Sequence, residues 1–566
     1  MLILGISAYY HDSAVCLIRD GQVVAAIEEE RFTRVKHDNS FPYQAIEFCL
    51  KNQSLKLQDV DYVAYYEKPL LKFERILETF IDTYPFSLRP FLKGIPEWLD
   101  YKIKVESTIR KLGFKNQIFF IPHHFSHAAS AFYPSPFKKA AILTVDGVGE
   151  WQTTGLWLGE NNNLQTLKHL NFPTSLGLLY STFTSYLGFK INEDEYKLMG
   201  LAAYGKPIYA KKIYSAIDIK IDGSFKLNLK YFGFRESFKM YNNQFEKLFG
   251  PSRKANEKIT KRHKNIAASI QAVTEEIYFK MLNYLYSITK TENLCLSGGV
   301  ALNALANGKI YDKTPFKKIY ILGAAGDSGA AIGAGLFLYN HIIPVGAGIK
   351  TKKHTINNLY LGSEYSNEQI KPILEKYNIK YKKYINEEEL INKTAKLLSQ
   401  EKIIGWFQGR CEYGPRALGN RSILCKPNPR SMKTKMNIIK RREQFRPFAG
   451  SILQDKVDEY FKVPEKNLWS PFMTFCFKVK ENKKEDLAAI IHVDGTCRIQ
   501  TINSLNGRYF RLINQFYKLT GIPCILNTSF NLKGEPIVEN PEQAIEDFLK
   551  TKMDYLVIGD FLVTKS

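Results

Sequence analysis

The chain has 566 residues, 45% hydrophobic and 13% aromatic, enough to bury large cores and to exclude the disordered classes. Length alone suggests roughly three to four folding units. A formal charge of +23 admits nucleic acid or phosphorylated ligands as partners. No arginine-rich tail or nucleic-acid motif accompanies it, and stretches such as "ITKRHKNI" read as solvated faces.

The first residues, "MLILGISAYYHDSAVCLIRDG", show no basic n-region and read as a strand. Asp20-Gly21 then separates two apolar runs, predicting a β-hairpin. A helix is expected over "FPYQAIEFCLKN", and "AAILTVDGVGEWQTTGLWLGENNN" reads as strand, turn and strand. A basic, aromatic insertion follows between Pro207 and His263, with a second hairpin at Asp222-Gly223. "NLCLSGGVALNALANGKI" and "KIYILGAAGDSGAAIGAGLFLY" are each a short strand, a glycine-bearing turn and a helix, the order of an α/β nucleotide site. The apolar run from Gly329 is glycine-rich and contains Asn340, His341 and Pro344, so it suits a soluble turn and helix better than a membrane span. Residues 350 to 365 are polar and basic and mark the connection to a second domain. That domain opens with a helix in "EELINKTAKLLSQEK" and a strand in "IIGWFQG", and closes on a strand pair in "DYLVIGDFLVTK". Eight cysteines without a CxxC pair argue against a disulfide framework or a thiolate zinc site, so a reducing cytoplasm is the expected location.

Three sets of residues could carry chemistry. His123 and His127, in "IPHHFSHAASAFYPSPF", keep the i, i+4 spacing of the two histidines in HExxH, with His124 where the glutamate would stand. On a helix they share a face, and with Asp146 and Asp327, each at a strand end, they could hold a divalent metal. A core helix with hydrogen-bonded imidazoles is the alternative. The turns at Ser297–Gly299 and Gly323–Gly329 offer backbone N–H groups to phosphate, although neither matches GxGxxG or GxxxxGK[ST]. The segment "EDEYKLMGLAAYGKP" suits a pocket loop before a short helix. In the second domain Arg410, Arg416, Arg421, Lys440, Arg442, Arg446 and Arg498 form a constellation, joined by His492, Asp494, Asn527, Thr528 and Ser529. That density of donors suits a small phosphorylated ligand.

Taken in order, "HHFSHAASAF", "EYKLMGLAAYG", "SGGVALN", "AAGDSG", "EYGPRALGNRSIL" and "HVDGTCRIQTI" resemble the O-carbamoyltransferases of the nodulation-protein and cephamycin-biosynthesis type, over nearly the whole chain. The resemblance implies an α/β protein of two domains: an actin-like (RNase H-like, ASKHA) domain over residues 1–353 and a YrdC-like α/β domain over 359–566. It implies that carbamoyl phosphate and ATP form carbamoyl adenylate in the second domain. The first domain would then carbamoylate a hydroxyl of a small-molecule or glycoside acceptor. His123, His127, Asp146 and Asp327 match the family's metal ligands, usually for iron as Fe(II), with magnesium accompanying ATP. Lys440, Arg446, Arg498, Asn527 and Ser529 match phosphate- and carbamoyl-binding positions, and Arg416 is grouped with them for the substrate. Ser297, Gly298, Gly299, Gly323 and Gly326 would hold the nucleotide. Asp12 and His11 are candidates for activating the acceptor hydroxyl, and His124 has no assigned task. A homodimer is one expected assembly; nucleic acid and membrane are not expected partners. The alternative activity is a threonylcarbamoyl-type modification of tRNA, and a nucleotide-sensing protein without catalysis is a third reading.

Overall fold

The structure, a computed structural model, describes residues 1–342 and 352–565. Strands β1 (Leu2–Ser7), β2 (Ala14–Arg19) and β3 (Gln22–Glu28) form an antiparallel meander. Strands β4 (Tyr62–Tyr65) and β5 (Gln117–Phe120) continue it in parallel on the other side of β1, giving the order β3-β2-β1-β4-β5. A second meander, β6 (Lys139–Val145), β7 (Gln152–Glu160) and β8 (Asn163–Asn171), follows. After a short hairpin, β9 (Ile217–Ile219) and β10 (Phe225–Leu227), the parallel strands β11 (Asn293–Ser297) and β12 (Lys318–Ile321) complete this sheet as β12-β11-β6-β7-β8. Both sheets thus repeat one plan, a three-stranded meander flanked by two parallel strands. This duplication is the actin-like arrangement.

The predicted turns have their chemical cause. Asp20 and Gly21 both lie at positive φ, as the two central residues of a tight hairpin require. Between the two sheets the helices His123–Phe132 and Asp327–Phe337 pack against each other. A Cβ on Gly333 would stand 1.8 Å from the carbonyl oxygen of Ser126, so only glycine permits this approach. The glycine-rich run from Gly329 is therefore a buried core helix up to residue 342; its remainder, like residues 350 and 351 of the expected connection, lies outside the described residues. Among those described, no helix is long and apolar enough to cross a membrane.

The last third of the chain builds a nine-stranded mixed sheet. Its strands are β13 (Lys380–Lys383), β14 (Ile404–Phe407), β15 (Arg421–Cys425), β16 (Ala449–Leu453) and β17 (Phe475–Lys478), followed by β18 (Thr496–Ile502), β19 (Cys524–Ser529), β20 (Tyr555–Ile558) and β21 (Phe561–Thr564). They run in the order β13-β21-β20-β14-β15-β19-β16-β18-β17, flanked by helices that include Glu387–Ser399 and Gly507–Thr520. It is the α/β second unit expected from the sequence, closed by the β20–β21 pair. All eight cysteines are free.

A buried ionic knot is one of the contacts that tie the two units. Arg31, following β3, pairs with Glu28 at 3.3 Å and Glu30 at 3.0 Å, and donates to the carbonyl of Gly414 at 2.7 Å. Gly414 N–H in turn donates to Glu28 Oε1. The "EYGPRALGNR" loop is thereby fastened to the first sheet.

Candidate active site at the carboxyl ends of the parallel strands

His123, His127, Asp146 and Asp327 converge, all buried, with one potential ligand atom from each lying within 4.8 Å of the others. Asp146 directly follows β6, Asp327 opens the helix after β12, and the two histidines sit one turn apart on their helix. His123 Nε2 is 3.1 Å from Asp146 Oδ2 and 3.0 Å from His127 Nε2, and His127 Nε2 is 3.4 Å from Asp327 Oδ1. Both Asp327 oxygens are buried without a hydrogen-bond donor. Two imidazole nitrogens facing each other beside two carboxylates, one of them lacking any donor, fit a divalent cation. Burial opposes ionisation of Asp146, but hydrogen bonds from His123 and His127 hold its carboxyl well below the usual range. Burial likewise works against a charged His127, yet Asp146 and Asp327 raise it to about 9.

Supports surround this group. His127 Nδ1 lies 3.2 Å from Ser297 Oγ, fixing the ring from behind. Asp146 Oδ1 accepts from Gly299 N–H at 2.9 Å. Glu150, not anticipated from the sequence, accepts from the backbone N–H of His123 at 2.9 Å and of Lys68 at 2.8 Å, holding the start of the histidine helix. His124 Nδ1 bonds Thr144 Oγ1 at 2.8 Å, and burial together with the neighbouring His123 and His127 drives its pKa well below the usual value. It stays neutral and structural.

Facing the cluster is a cavity of about 680 Å³ lined by both units. From the first unit come His11, Asp12, Asp146, Gly299 and Gly326; from the second come Arg416, Lys440, Arg446, Arg498, Asn527 and Ser529. His11 Nδ1 is 2.9 Å from one Asp12 oxygen, and His37 Nδ1, a residue not singled out from the sequence, is 2.6 Å from the other. Asp12 and His37 both have positive φ, which places these side chains on strained turns, as often happens at functional sites. The loop before the helix Glu195–Ala202 also lines the cavity, and Tyr196 stacks under Arg446 at 4.8 Å.

Among the described residues Arg416, Lys440 and Arg498 have no acidic ion-pair partner, while Arg446 has one, Glu443 at 3.6 Å. Lys440 Nζ donates to the carbonyl and hydroxyl of Ser529 and to Asn531 Oδ1. Burial, then Arg442 and Arg446, lower its pKa well below the ordinary lysine value. Burial and Arg498 push Arg416 down to about 9. Such crowding of positive charge is relieved by an anionic ligand.

Several expectations need correction. Arg421 does not reach the cavity: it is fully buried, donates to the carbonyls of Gln408 and Ser363, and stacks on Phe407 at 3.6 Å. Arg410 donates to the carbonyls of Val24 and Leu361 and is also structural. Among the five glycine-turn residues, only Gly299 and Gly326 line the cavity. Ser297 lies behind His127, and Gly298 takes positive φ against the Val145 carbonyl. Gly323 packs on Leu359 and Phe472.

Fold and site define a two-unit α/β enzyme whose acid-histidine centre reaches, through Asp146, a cavity lined by cations of the second unit. The chain matches the family described as carbamoyltransferase N-terminus over residues 2–336 and that described as carbamoyltransferase C-terminus over residues 395–565. It is 45% identical to an uncharacterised protein of Synechocystis sp., over 100% of this chain and 97% of that one. It is 36% identical to the nodulation protein NolNO of Sinorhizobium fredii, over 99% of this chain and 80% of that protein. Among solved structures, the activator of 2-hydroxyisocaproyl-CoA dehydratase from Clostridium difficile covers 62% of this chain and 99% of its own at 15% identity and TM-score 0.32, too distant to carry functional weight. The chain belongs to the carbamoyltransferase family, and it is a transferase that carbamoylates an acceptor.

Proposed function

We propose that the enzyme is an ATP-dependent O-carbamoyltransferase that uses carbamoyl phosphate and works through carbamoyl adenylate. The observation that carries this reading is the cavity lined both by the cations of the second unit, of which Arg416, Lys440 and Arg498 have no acidic ion-pair partner among the described residues, and by Asp146, the member of the His–Asp cluster that reaches it. On this reading residues 359–566 form the adenylate and residues 1–353 use it. Atoms balance if water cleaves carbamoyl phosphate to carbamate and phosphate. A carbamate oxygen then attacks the α-phosphorus of ATP and expels pyrophosphate. Lys440, Arg416, Arg446 and Arg498 would hold the phosphate charges, and their fixed positive field would favour the charge that gathers in the transition state. Asn527, whose buried Oδ1 has no donor, would accept from the carbamoyl amide. Gly326, where an added Cβ would meet nothing within 4 Å, would leave room for the nucleotide, whereas Gly299 N–H is already held by Asp146.

In the second step an acceptor hydroxyl attacks the carbamoyl carbon, adenosine monophosphate leaves, and the hydroxyl proton passes to the His11–Asp12 pair. A divalent cation held by His123, His127, Asp146 and Asp327, Fe(II) by family resemblance, would supply Lewis-acid polarisation of the carbonyl. The loop of the 207–263 insertion that carries Arg253 and Asn256 borders the cavity and helps shape the acceptor side.

Incubation of metal-loaded protein with carbamoyl phosphate and magnesium ATP tests the reading. Pyrophosphate and carbamoyl adenylate are expected, and their joint absence from folded protein would sink it. His127→Ala should stop transfer to an acceptor while leaving adenylate formation largely intact; survival of transfer would remove the metal assignment.

A further inference from the structure

Helix Leu88–Asp100 is apolar on two faces. Phe91, Ile95 and Trp98 turn inward, while Leu88, Leu92 and Leu99 form a second stripe that faces solvent. The end of the preceding helix adds Ile81, and the loop leading into this one adds Tyr84 and Phe86, exposed at 75%, 70% and 73%. An independent part of the chain, the 207–263 insertion, brings Phe238 to the same place, where Lys93 lies 5.0 Å over its ring. Scattered exposed hydrophobics need no explanation, but two segments far apart in sequence meeting in one aromatic and aliphatic tip do.

Asp82 is paired with Arg235 and Glu97 with Lys102, whereas Arg89 and Lys93, beside the exposed side chains of Leu88 and Leu92, have no acidic partner among the described residues; Asp100, unpaired too, lies at the far end of the helix. A two-fold contact with a second copy would bring these cations together, and the chain as a whole carries +23. Helix Pro69–Asp82 links the tip to the cavity: the residue before it, Lys68, donates its N–H to Glu150, Lys72 lies 4.7 Å over Tyr10, and Asp82 ends it at the tip.

We propose that this tip is a peripheral membrane-docking surface that inserts Tyr84, Phe86, Leu88 and Leu92 into the interface of an anionic lipid bilayer. Arg89 and Lys93 would meet the headgroups. The protein lies on the bilayer without crossing it, consistent with the absence of a spanning helix among the described residues.

The test uses the full chain with vesicles of phosphatidylcholine alone or mixed with phosphatidylglycerol, read by flotation. Binding is expected to the mixed vesicles only and to weaken with salt. Arg89→Gln and Lys93→Gln should each lower partitioning about fivefold. The double variant Phe86→Asp/Leu92→Asp should lower it about tenfold or more, with unchanged thermal unfolding because both sites are exposed. Equal binding to neutral vesicles, no binding at all, or undiminished binding by the double variant would overturn the proposal, the last assigning adsorption to the general positive charge. Concentration-dependent self-association that the double variant abolishes, without vesicle binding, would overturn it in favour of a second copy.

Discussion

Arg416 and Arg421 lie five positions apart and carry the same charge, yet their surroundings give them opposite roles. Arg421 satisfies backbone carbonyls in the core, while Arg416 lines the cavity beside Arg498 with no acid to balance it. Arg421→Ala is expected to destabilise the protein by about 3 kcal/mol or more, since several buried carbonyls at about 1–3 kcal/mol each lose their donor. Arg416→Ala should leave denaturant unfolding nearly unchanged and lower adenylate formation by about 10²–10³-fold. Lys440 supplies a pH test. Burial and the adjacent Arg442 and Arg446 depress its proton affinity, so the native state sheds a proton that the unfolded chain keeps up to about pH 10.4. Between the depressed value and that limit the unfolded state binds more protons, and stability of the ligand-free protein rises with pH. A Lys440→Met variant should lack this contribution, read as a shallower slope of unfolding free energy across an alkaline pH series.

At the scale of elements, helix His123–Phe132 depends on a carboxylate outside it. Glu150 accepts from the N–H at its first residue and from Lys68, so it fixes both the helix start and its distance from the next helix. Glu150→Gln keeps the volume but removes the charge and one acceptor. Divalent-metal affinity by titration calorimetry should fall about 10–100-fold, the usual cost of disturbing an outer support of metal ligands. The element pattern itself was legible: Asp20-Gly21 and Asp222-Gly223 make the expected hairpins because the turn conformation needs those residues. Glu150 was not legible, because "DGVGE" reads as an ordinary polar turn and the N–H groups it serves lie 27 and 82 residues away in sequence.

For the whole molecule, the Glu28–Arg31–Glu30 knot on Gly414 is one of the buried links between the units, beside Tyr413 to Ser328, Asn307 to Thr474 and His492 to Gly200. Arg31→Met leaves two buried carboxylates without their cation, a loss of about 3–5 kcal/mol. Differential scanning calorimetry should then show a lower melting temperature in a single transition, since Asn307–Thr474 and His492–Gly200 still join the units. A variant melting at the parental temperature would mean that the knot adds nothing to stability.

The sequence by itself determined the family through its ordered motifs, the strand and helix pattern through periodicity and turn chemistry, and the His123, His127, Asp146 and Asp327 group by resemblance, all of which depend on local residue patterns. Which arginines face a ligand, which glycines open to the cavity and which only let backbones touch, and that His124 bonds Thr144 instead of joining the cluster were decided by the tertiary structure alone. The physical reason is that charge and conformational freedom are properties of a residue type, while burial and partners are supplied by segments hundreds of positions away. Arg31 and Gly414, 383 positions apart and 2.7 Å across their hydrogen bond, show that separation most plainly.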